Sequence, residues 1–148
     1  SRPFSPPPRL LQVAFCVAIA LPGCTPPSAT ESHQTEFHPA IPTVTSDELH
    51  RMVQSAEQPV IVEFGVDVGC VRCDDMRPQV AELSRELEGT ASFVRVDFNA
   101  NRVLATQYGA SVCPSYVIFN QGQAIATQTY PTSADMILIA LESQESHP

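Results

Sequence analysis

Two cysteines, Cys70 and Cys73, are the residues whose type and spacing most directly suggest chemistry, and Val71 and Arg72 lie between them. A spacing of three places the second thiol one helical turn from the first, close enough to close a disulfide. One thiolate can attack a substrate disulfide, and the other thiol can then displace the product from the mixed disulfide. The pair could also be half of a zinc site, but no second Cys-x-x-Cys or His pair follows at zinc-finger spacing. The pattern therefore favours redox chemistry, with no metal and no cofactor.

The elements that must position this pair are a strand before it and a helix that begins at it. Residues 59–64 form a short apolar run that predicts a buried strand, and residues 70–87 show the apolar periodicity of a helix that ends at Gly89. A helix amino terminus has unpaired N–H groups and about half a positive charge, which stabilise a thiolate. We therefore expect Cys70 to be the ionised nucleophile and Cys73 to resolve the mixed disulfide.

The remaining segments alternate between helical and extended patterns. A capping box at Thr45 and Glu48 predicts a helix over residues 46–57. Further along, the sequence predicts a strand over 93–98, a helix over 102–108, a hairpin of strands 116–119 and 124–129, and a last helix capped by Ser133. Strands separated by helices imply parallel crossovers, and the hairpin adds an antiparallel edge. The predicted fold class is α/β, with helices on both faces of a central mixed sheet of four to five strands.

Motifs spread over residues 44–143 resemble, in their order, those of the thioredoxin family. They are Val62-Glu63-Phe64, Cys70-x-x-Cys73, Pro78 five residues after the second cysteine, Val94-Arg95-Val96-Asp97, Tyr108-Gly109, and Cys113-Pro114-Ser115-Tyr116 followed by Phe119 and Gly122. The resemblance implies the thioredoxin fold for these residues. It also implies a thiol–disulfide oxidoreductase of the protein-disulfide reductase type, whose catalytic cysteines are Cys70 and Cys73.

The resemblance assigns further site residues. Pro114 takes the place of the cis-proline that lies against the disulfide and presents backbone to an extended substrate. Glu63 takes the place of the buried acid beneath Cys73, where it would relay a proton, and Arg95 that of its cationic neighbour. The alternative for Glu63 is an edge carboxylate that faces solvent. The predicted substrate-binding residues are Val71, Arg72, Cys113 and Pro114.

Three departures from the family's pattern bear on partner choice. The tryptophan before the cysteines is missing, and the usual Gly-Pro between them is Val71-Arg72. Tyr130 replaces a glycine of the substrate-binding lip. We therefore expect a reduction potential that differs from that of the family at large, and the resemblance does not assign the choice of partners.

Cys113 directly precedes Pro114 and should project close to Cys70. It could be a buried bystander thiol, a third redox thiol, or the third ligand of a three-thiolate metal site with Cys70 and Cys73. The last interpretation would make the protein a metal-binding module that holds copper, zinc or an iron–sulfur centre. A redox-silent thioredoxin-like interaction module is the remaining alternative to an enzyme.

The first part of the chain has the layout of an export signal. An apolar stretch over residues 10–21 follows Arg2 and Arg9 and ends in Leu21-Pro22-Gly23-Cys24, which resembles the lipobox of bacterial lipoproteins. Residues 1–24 are thus predicted to be a signal peptide, with Cys24 as the lipidation site. The alternative is an ordinary cleaved signal with an incidental cysteine nearby. Residues 25–43 then predict a flexible linker, and residues 144–148 a tail.

Composition limits the classes of partner. The chain has 148 residues, a formal net charge of −8 and no lysine, which argues for a single domain and against nucleic acid as a partner. We expect a monomer that is anchored to a membrane by lipid on the extracytoplasmic, periplasmic side. Its expected partners are the disulfides or dithiols of exported proteins and an upstream thiol that donates or accepts electrons.

Overall fold

The computed structural model describes residues 40–145. The predicted signal peptide, the predicted lipidation site Cys24 and all but the last few residues of the predicted linker therefore lie outside the described residues, as do residues 146–148 of the predicted tail. The family-like region predicted over 44–143 falls within the described part.

The described chain alternates helices and strands in the predicted order. The elements are α1 (Ser46–Ser55), β1 (Val60–Gly65), α2 (Val71–Glu86), β2 (Ser92–Asp97), α3 (Arg102–Gln107), β3 (Ser115–Asn120), β4 (Gln123–Thr129) and α4 (Asp135–Glu145). Within residues 40–145, none of these helices combines the length and the apolar character needed to cross a bilayer.

Helix α1 begins with the predicted capping box. The Oγ1 of Thr45 accepts a hydrogen bond from the Glu48 amide at 3.3 Å, and the Thr45 amide donates to Oε2 of Glu48 at 2.7 Å. Two amides that a helix start leaves without a partner are thereby satisfied. The helix ends two residues earlier than predicted, because Ala56 is already extended at φ −72° and ψ 130°.

The four strands form one mixed sheet in the order β2-β1-β3-β4, which confirms the predicted fold class. β1 lies in the middle and pairs in parallel with β2, whereas β3 and β4 form the predicted antiparallel hairpin. An isolated parallel bridge between Thr43 and Arg95 extends the sheet beyond β2 by a single pair of residues.

The direction of β3 corrects one expectation. We expected strands separated by a helix to be parallel, but β3, which follows α3, is antiparallel to β1. With six residues, α3 is about 9 Å long and cannot return the chain along a strand of roughly 20 Å. β3 therefore begins at the edge of the sheet where β2 ends, and Ser115 at its start pairs with Phe64 near the end of β1.

Helices cover both faces of the sheet, as predicted. Alternate residues of a strand point to opposite faces, so Ile61 packs with α2 and α4, whereas Val62 packs with α1 and α3. Glu63 is two residues after Ile61 and so belongs to the face that α2 covers. The helix that carries the cysteines is thus packed over the strand that carries the acid.

Candidate active site

Cys70 and Cys73 form a disulfide at the amino end of α2. Their Cα atoms are 5.2 Å apart and their sulfurs 2.18 Å apart. Cys73 is only 1% exposed, whereas Cys70 is half-buried. Only the first sulfur of the bridge is therefore open to an incoming thiol.

Cys70 is the residue that caps helix α2. Its backbone is extended at φ −130° and ψ 95°, and its Sγ accepts a hydrogen bond from the Cys73 amide at 3.1 Å. The carbonyl of Cys70 accepts the Asp74 amide at 3.1 Å, which is the first hydrogen bond of the helix. The helix start thus directs an N–H group and the positive end of the helix dipole at this sulfur, which favours its thiolate form after reduction.

A glycine allows the chain to turn from β1 into this helix. Gly69 has φ +82°, a left-handed conformation that residues with a Cβ rarely adopt, and a Cβ built there would meet no atom within 4 Å. The glycine is therefore needed for backbone geometry and not for space.

Pro114 lies on the loop that precedes β3. The Cys113–Pro114 peptide bond is cis, as the resemblance implied, and the Pro114 carbonyl accepts a hydrogen bond from the Tyr130 amide at 3.0 Å. The carbonyl oxygen of Cys113 is 3.7 Å from the Sγ of Cys70. The loop is thus anchored to the end of β4 on one side and adjoins the nucleophilic sulfur on the other.

Cys113 brings a third sulfur to the disulfide. Its thiol is free and half-buried, and the Sγ atoms of Cys70, Cys73 and Cys113 all lie within 4.8 Å of one another. The expectation that Cys113 projects close to Cys70 is therefore confirmed. Its partial exposure argues against a purely buried bystander.

Glu63 is buried in the centre of the sheet. Its exposed fraction is 2%, so the alternative of an edge carboxylate that faces solvent is wrong. The Nε of Arg95 donates to Oε1 of Glu63 at 2.9 Å, and Nη2 donates to Oε2 at 3.3 Å. Arg95 therefore is the cationic neighbour that the resemblance implied, while the proton-relay role of Glu63 stays a prediction.

Arg95 also reaches the loop in front of the cysteines. Its Nη1 donates to Oδ1 of Asp67 at 3.2 Å. Burial by itself lowers the pKa of Arg95, but the hydrogen bond and charge of Glu63, together with the charge of Asp67, outweigh burial and leave that pKa raised. The guanidinium therefore stays charged and links the buried acid to the loop before Cys70.

Tyr116 is a polar group near the site that the sequence analysis named only as part of a family motif, with no role. Its side chain is fully buried on the same face as Glu63, and its hydroxyl makes no hydrogen bond to any described residue. Burial, and then the negative charge of Glu63, raise the pKa of Tyr116 above its ordinary value. Its place in an alternating strand predicts a core residue, but no local signal predicts its closeness to Glu63.

Exposed apolar side chains surround the opening at Cys70. Val68 and Val71 are 87% and 78% exposed on either side of it, and Val112 and Tyr130 are also exposed on the segments next to Cys113 and Pro114. We call Val68, Val71, Val112 and Tyr130 the apolar rim. Uncovered apolar residues that cluster at a reactive sulfur indicate a surface that another molecule contacts.

Arg72 joins the two sides of this rim. Its guanidinium carbon lies 5.2 Å from the centroid of the Tyr130 ring, a cation–π distance. Tyr130 has φ +51°, so it keeps the left-handed backbone that favours the glycine found at this position in the family pattern. Two of the departures from that pattern, Arg72 and Tyr130, therefore contact each other.

The structure brings most of the predicted site residues together. Cys70, Cys73, Cys113 and Pro114 meet at one end of the sheet, Val71 and Arg72 flank them on α2, and Glu63 lies on the strand that α2 covers; Cys24 lies outside the described residues. Sequence reasoning gave no site role to Asp67, Tyr116, Val68 and Val112, whose contacts or exposure depend on the folded chain.

A disulfide between two cysteines three residues apart at a helix start, with one sulfur open and the other buried, is the site that a thiol–disulfide oxidoreductase needs. The family profile described as thioredoxin matches residues 40–143. The chain therefore belongs to the thioredoxin family.

Individual relatives agree with this membership. The chain is 33% identical over 86 residues to the thioredoxin of Synechocystis sp., which covers 58% of this chain and 79% of that protein. It is 31% identical over 88 residues to thioredoxin C-2 of Corynebacterium nephridii, with 60% and 81% covered. It is also 34% identical over 91 residues to protein disulfide-isomerase A3 of Gallus gallus, and that match spans 60% of this chain but only 18% of the relative.

Proposed function

We propose that this protein exchanges disulfides with exported proteins on the outer side of a cytoplasmic membrane, to which a lipid on Cys24 anchors it. The observation that carries the thiol chemistry is the bonded pair of half-buried Cys70 and buried Cys73 at a helix start. The relatives named thioredoxin and protein disulfide-isomerase support protein disulfides as the substrate class.

The reductive half of the reaction starts from the dithiol. The Cys70 thiolate attacks one sulfur of the substrate disulfide, a Cys70–substrate bond forms, and the other substrate sulfur leaves as a thiolate that takes up a proton. The Cys73 thiolate then attacks Cys70 Sγ and releases the second substrate thiol. Two electrons pass to the substrate, and the Cys70–Cys73 disulfide seen in the structure is the product. An upstream dithiol must restore the reduced pair, and the reverse sequence oxidises a substrate.

The two thiols meet different needs in this sequence. Cys70 accepts the Cys73 N–H and lies at the positive end of α2, so its thiolate is stabilised before a substrate arrives. Cys73 is buried and needs a nearby base to lose its proton, and Glu63, on the strand beneath α2, is the carboxylate that we propose for this step. Arg95 positions Glu63 through two hydrogen bonds.

The substrate is proposed to bind over the apolar rim as an extended segment. Val71 and Arg72 on one side, and Cys113 and Pro114 on the other, border the open sulfur. Since the rim exposes apolar surface, an apolar residue next to the substrate cysteine should improve binding. The acidic net charge of the chain should favour basic partners.

Cysteine variants test the proposed reaction. Cys70→Ser should abolish reduction of the insulin disulfides by dithiothreitol-driven turnover, because the attacking thiolate is lost. Cys73→Ser should instead accumulate a mixed disulfide between Cys70 and the substrate, visible by mass spectrometry. Ser55→Ala, at the far end of α1, is the matched control and should retain activity. Full activity in Cys70→Ser would end the proposal.

Membrane anchoring needs its own test. In bacteria that express the full chain, wild-type protein should partition with membranes and carry acyl chains on Cys24, whereas Cys24→Ser should be released into the soluble fraction. Cys16→Ser, within the apolar stretch that precedes Cys24, should remain anchored and serves as the control. Equal membrane partitioning of wild type and Cys24→Ser, with no acylated peptide, would refute the lipid anchor but leave the thiol chemistry untouched.

A further inference from the structure

The proposed disulfide exchange uses Cys70 and Cys73 but gives no task to Cys113. Cys113 is free and half-buried, and its Sγ lies within 4.8 Å of both bonded sulfurs. A bystander would be expected among apolar side chains, whereas this thiol faces the reactive pair. Three sulfurs that converge from a helix start and a separate loop form a preassembled donor set.

The spacing of the three sulfurs suits a single metal ion. Metal–thiolate bonds of roughly 2.3 Å place sulfurs bound to one ion roughly 4 Å apart. The three sulfurs are already within 4.8 Å of one another, and reduction opens the bond between Cys70 and Cys73. The donor set therefore needs only small side-chain rotations to surround an ion.

The chemistry of the donors narrows the class of ion. Thiolates are soft ligands that select copper(I) and zinc over calcium or magnesium. Among the described residues, the cluster contains three cysteines and no His, Asp or Glu, and two of its members are open to solvent. Such a site suits an ion with three sulfur ligands, with any fourth position taken from outside the protein. The amino terminus of α2 offsets part of the negative charge of the thiolates.

We propose that the reduced protein binds one soft, thiophilic metal ion through Cys70, Cys73 and Cys113, and that the ion and the Cys70–Cys73 disulfide exclude each other. A dithiol reductant supplies two electrons and two protons to open the disulfide, and the three thiols then release their protons as the ion binds. When a substrate disulfide takes two electrons from the Cys70–Cys73 pair and is itself reduced to two thiols, the pair closes, two of the three ligands are lost and the ion is released. The redox coupling rests on the proposed function, whereas the metal site itself depends on the position of Cys113.

Metal titration of the full chain tests this site. Cys16 and Cys24 are first changed to serine so that the only thiols left are the three in question. The reduced protein should bind one equivalent of zinc or copper(I) in competition with a chromophoric chelator. Loss of a residue that only hydrogen-bonds to a metal ligand costs about 10–100-fold in metal affinity. Cys113→Ser removes a ligand itself, so it should weaken metal binding by at least about tenfold. Oxidised protein should bind neither ion.

Two control variants distinguish the loss of a metal ligand from the loss of folding. Val112→Ser changes the neighbouring residue but keeps all three sulfurs, and it should bind metal as the parent does. Cys113→Val keeps an apolar side chain, so it gives the same answer if Cys113→Ser fails to fold; formation of the Cys70–Cys73 disulfide in either variant shows a folded site. Equal metal affinity of the parent and the Cys113 variants, or no binding of either ion, would overturn the proposal. Insulin reduction by metal-free wild type tests the proposed function separately.

Discussion

At the scale of single residues, the sheet face that α2 covers contains a buried ion pair. Glu63 and Arg95 are both buried and share two hydrogen bonds, and Arg95 makes a third to exposed Asp67. The attraction between buried charges roughly offsets the cost of removing them from water, so the pair contributes little net stability. Removal of one partner, however, leaves an uncompensated charge in the core.

Arg95→Leu tests whether removal of one partner costs more stability than the intact pair contributes. The substitution leaves the Glu63 carboxylate buried without its cation, and the free energy of unfolding should fall by about 3–5 kcal/mol. Urea unfolding at neutral pH measures the loss. Arg51→Leu removes an exposed arginine and should change stability by no more than about 0.5 kcal/mol. A loss in Arg95→Leu as small as that in Arg51→Leu would show that the pair does not hold a buried charge.

Gly65→Ala tests how tightly Glu63 is held. A Cβ at position 65 would lie 2.5 Å from Oε1 of Glu63, closer than atoms tolerate, and Arg95 prevents the carboxylate from moving away freely. We expect destabilisation by about 1–3 kcal/mol in the wild-type background. The penalty should shrink by about 1 kcal/mol or more when Glu63→Ala is also present, because the clashing atom is gone. Additive effects in this double-mutant cycle would contradict the contact.

At the scale of elements, two helix starts are stabilised by different chemistry. Thr45 caps α1 with a hydroxyl, the kind of group that usually caps helices, whereas the sulfur of Cys70 caps α2. A thiolate in this position gains from the helix dipole, so the cap and the nucleophile are the same atom. The reduced form of the protein should therefore keep α2 intact while its sulfur becomes reactive.

The capping box of α1 predicts a pH dependence of stability. The hydrogen bonds from the Thr45 amide and hydroxyl lower the pKa of Glu48 below 4.5. A lowered folded-state pKa gives stability that is present above pH 4.5 and is lost as the pH falls through the folded value. Wild type should thus be more stable than Glu48→Gln at pH 7, and the difference should disappear as the pH falls through the lowered, folded-state pKa of Glu48. Thermal unfolding across pH 3–7 measures both.

A second variant separates the contribution of the Thr45 hydroxyl from that of the Thr45 amide. Thr45→Val removes the hydroxyl but keeps the backbone amide that donates to Glu48 at 2.7 Å. It should therefore lose only part of the pH dependence. A constant difference between wild type and Glu48→Gln at every pH would argue against a role for the ionised carboxylate.

The sequence predicted the elements better than their long-range contacts. Capping at Thr45, the thiol spacing and the apolar periodicity of α2 are local features, so they are visible in the order of residues. The antiparallel direction of β3 depends on where the chain emerges from the short helix α3. The contact of Arg72 with Tyr130 likewise joins residues 58 positions apart, and no local pattern encodes it.

At the scale of the whole molecule, the reactive sulfur lies on an acidic protein. The chain carries a net charge of −8, and Asp67 and Asp74 are exposed close to the disulfide. The electrostatic field of these charges acts on the approach of a partner more than on the contacts made after binding. Choice between partners should therefore show in association rates.

The rates of exchange with charged peptides test this field. A basic peptide disulfide should react about tenfold faster than an acidic one of matched sequence length at low ionic strength. The ratio should approach one as salt is raised to about 0.5 M, where the screening length falls to a few ångströms. A neutral peptide provides the reference, and stopped-flow measurement of thiol release gives the rates. A ratio that salt does not change would indicate that contacts, and not the field, select the partner.

The segment that enters the domain from the predicted tether meets the sheet at Arg95. The Arg95 amide donates to the Pro42 carbonyl, and the Arg95 carbonyl accepts the Val44 amide, both at 2.8 Å. If the chain is anchored upstream of Ala40, as proposed, a force on the anchor would act on these two backbone hydrogen bonds. The guanidinium of the same residue holds Glu63, so the attachment of the entering segment and the position of the buried acid depend on one arginine.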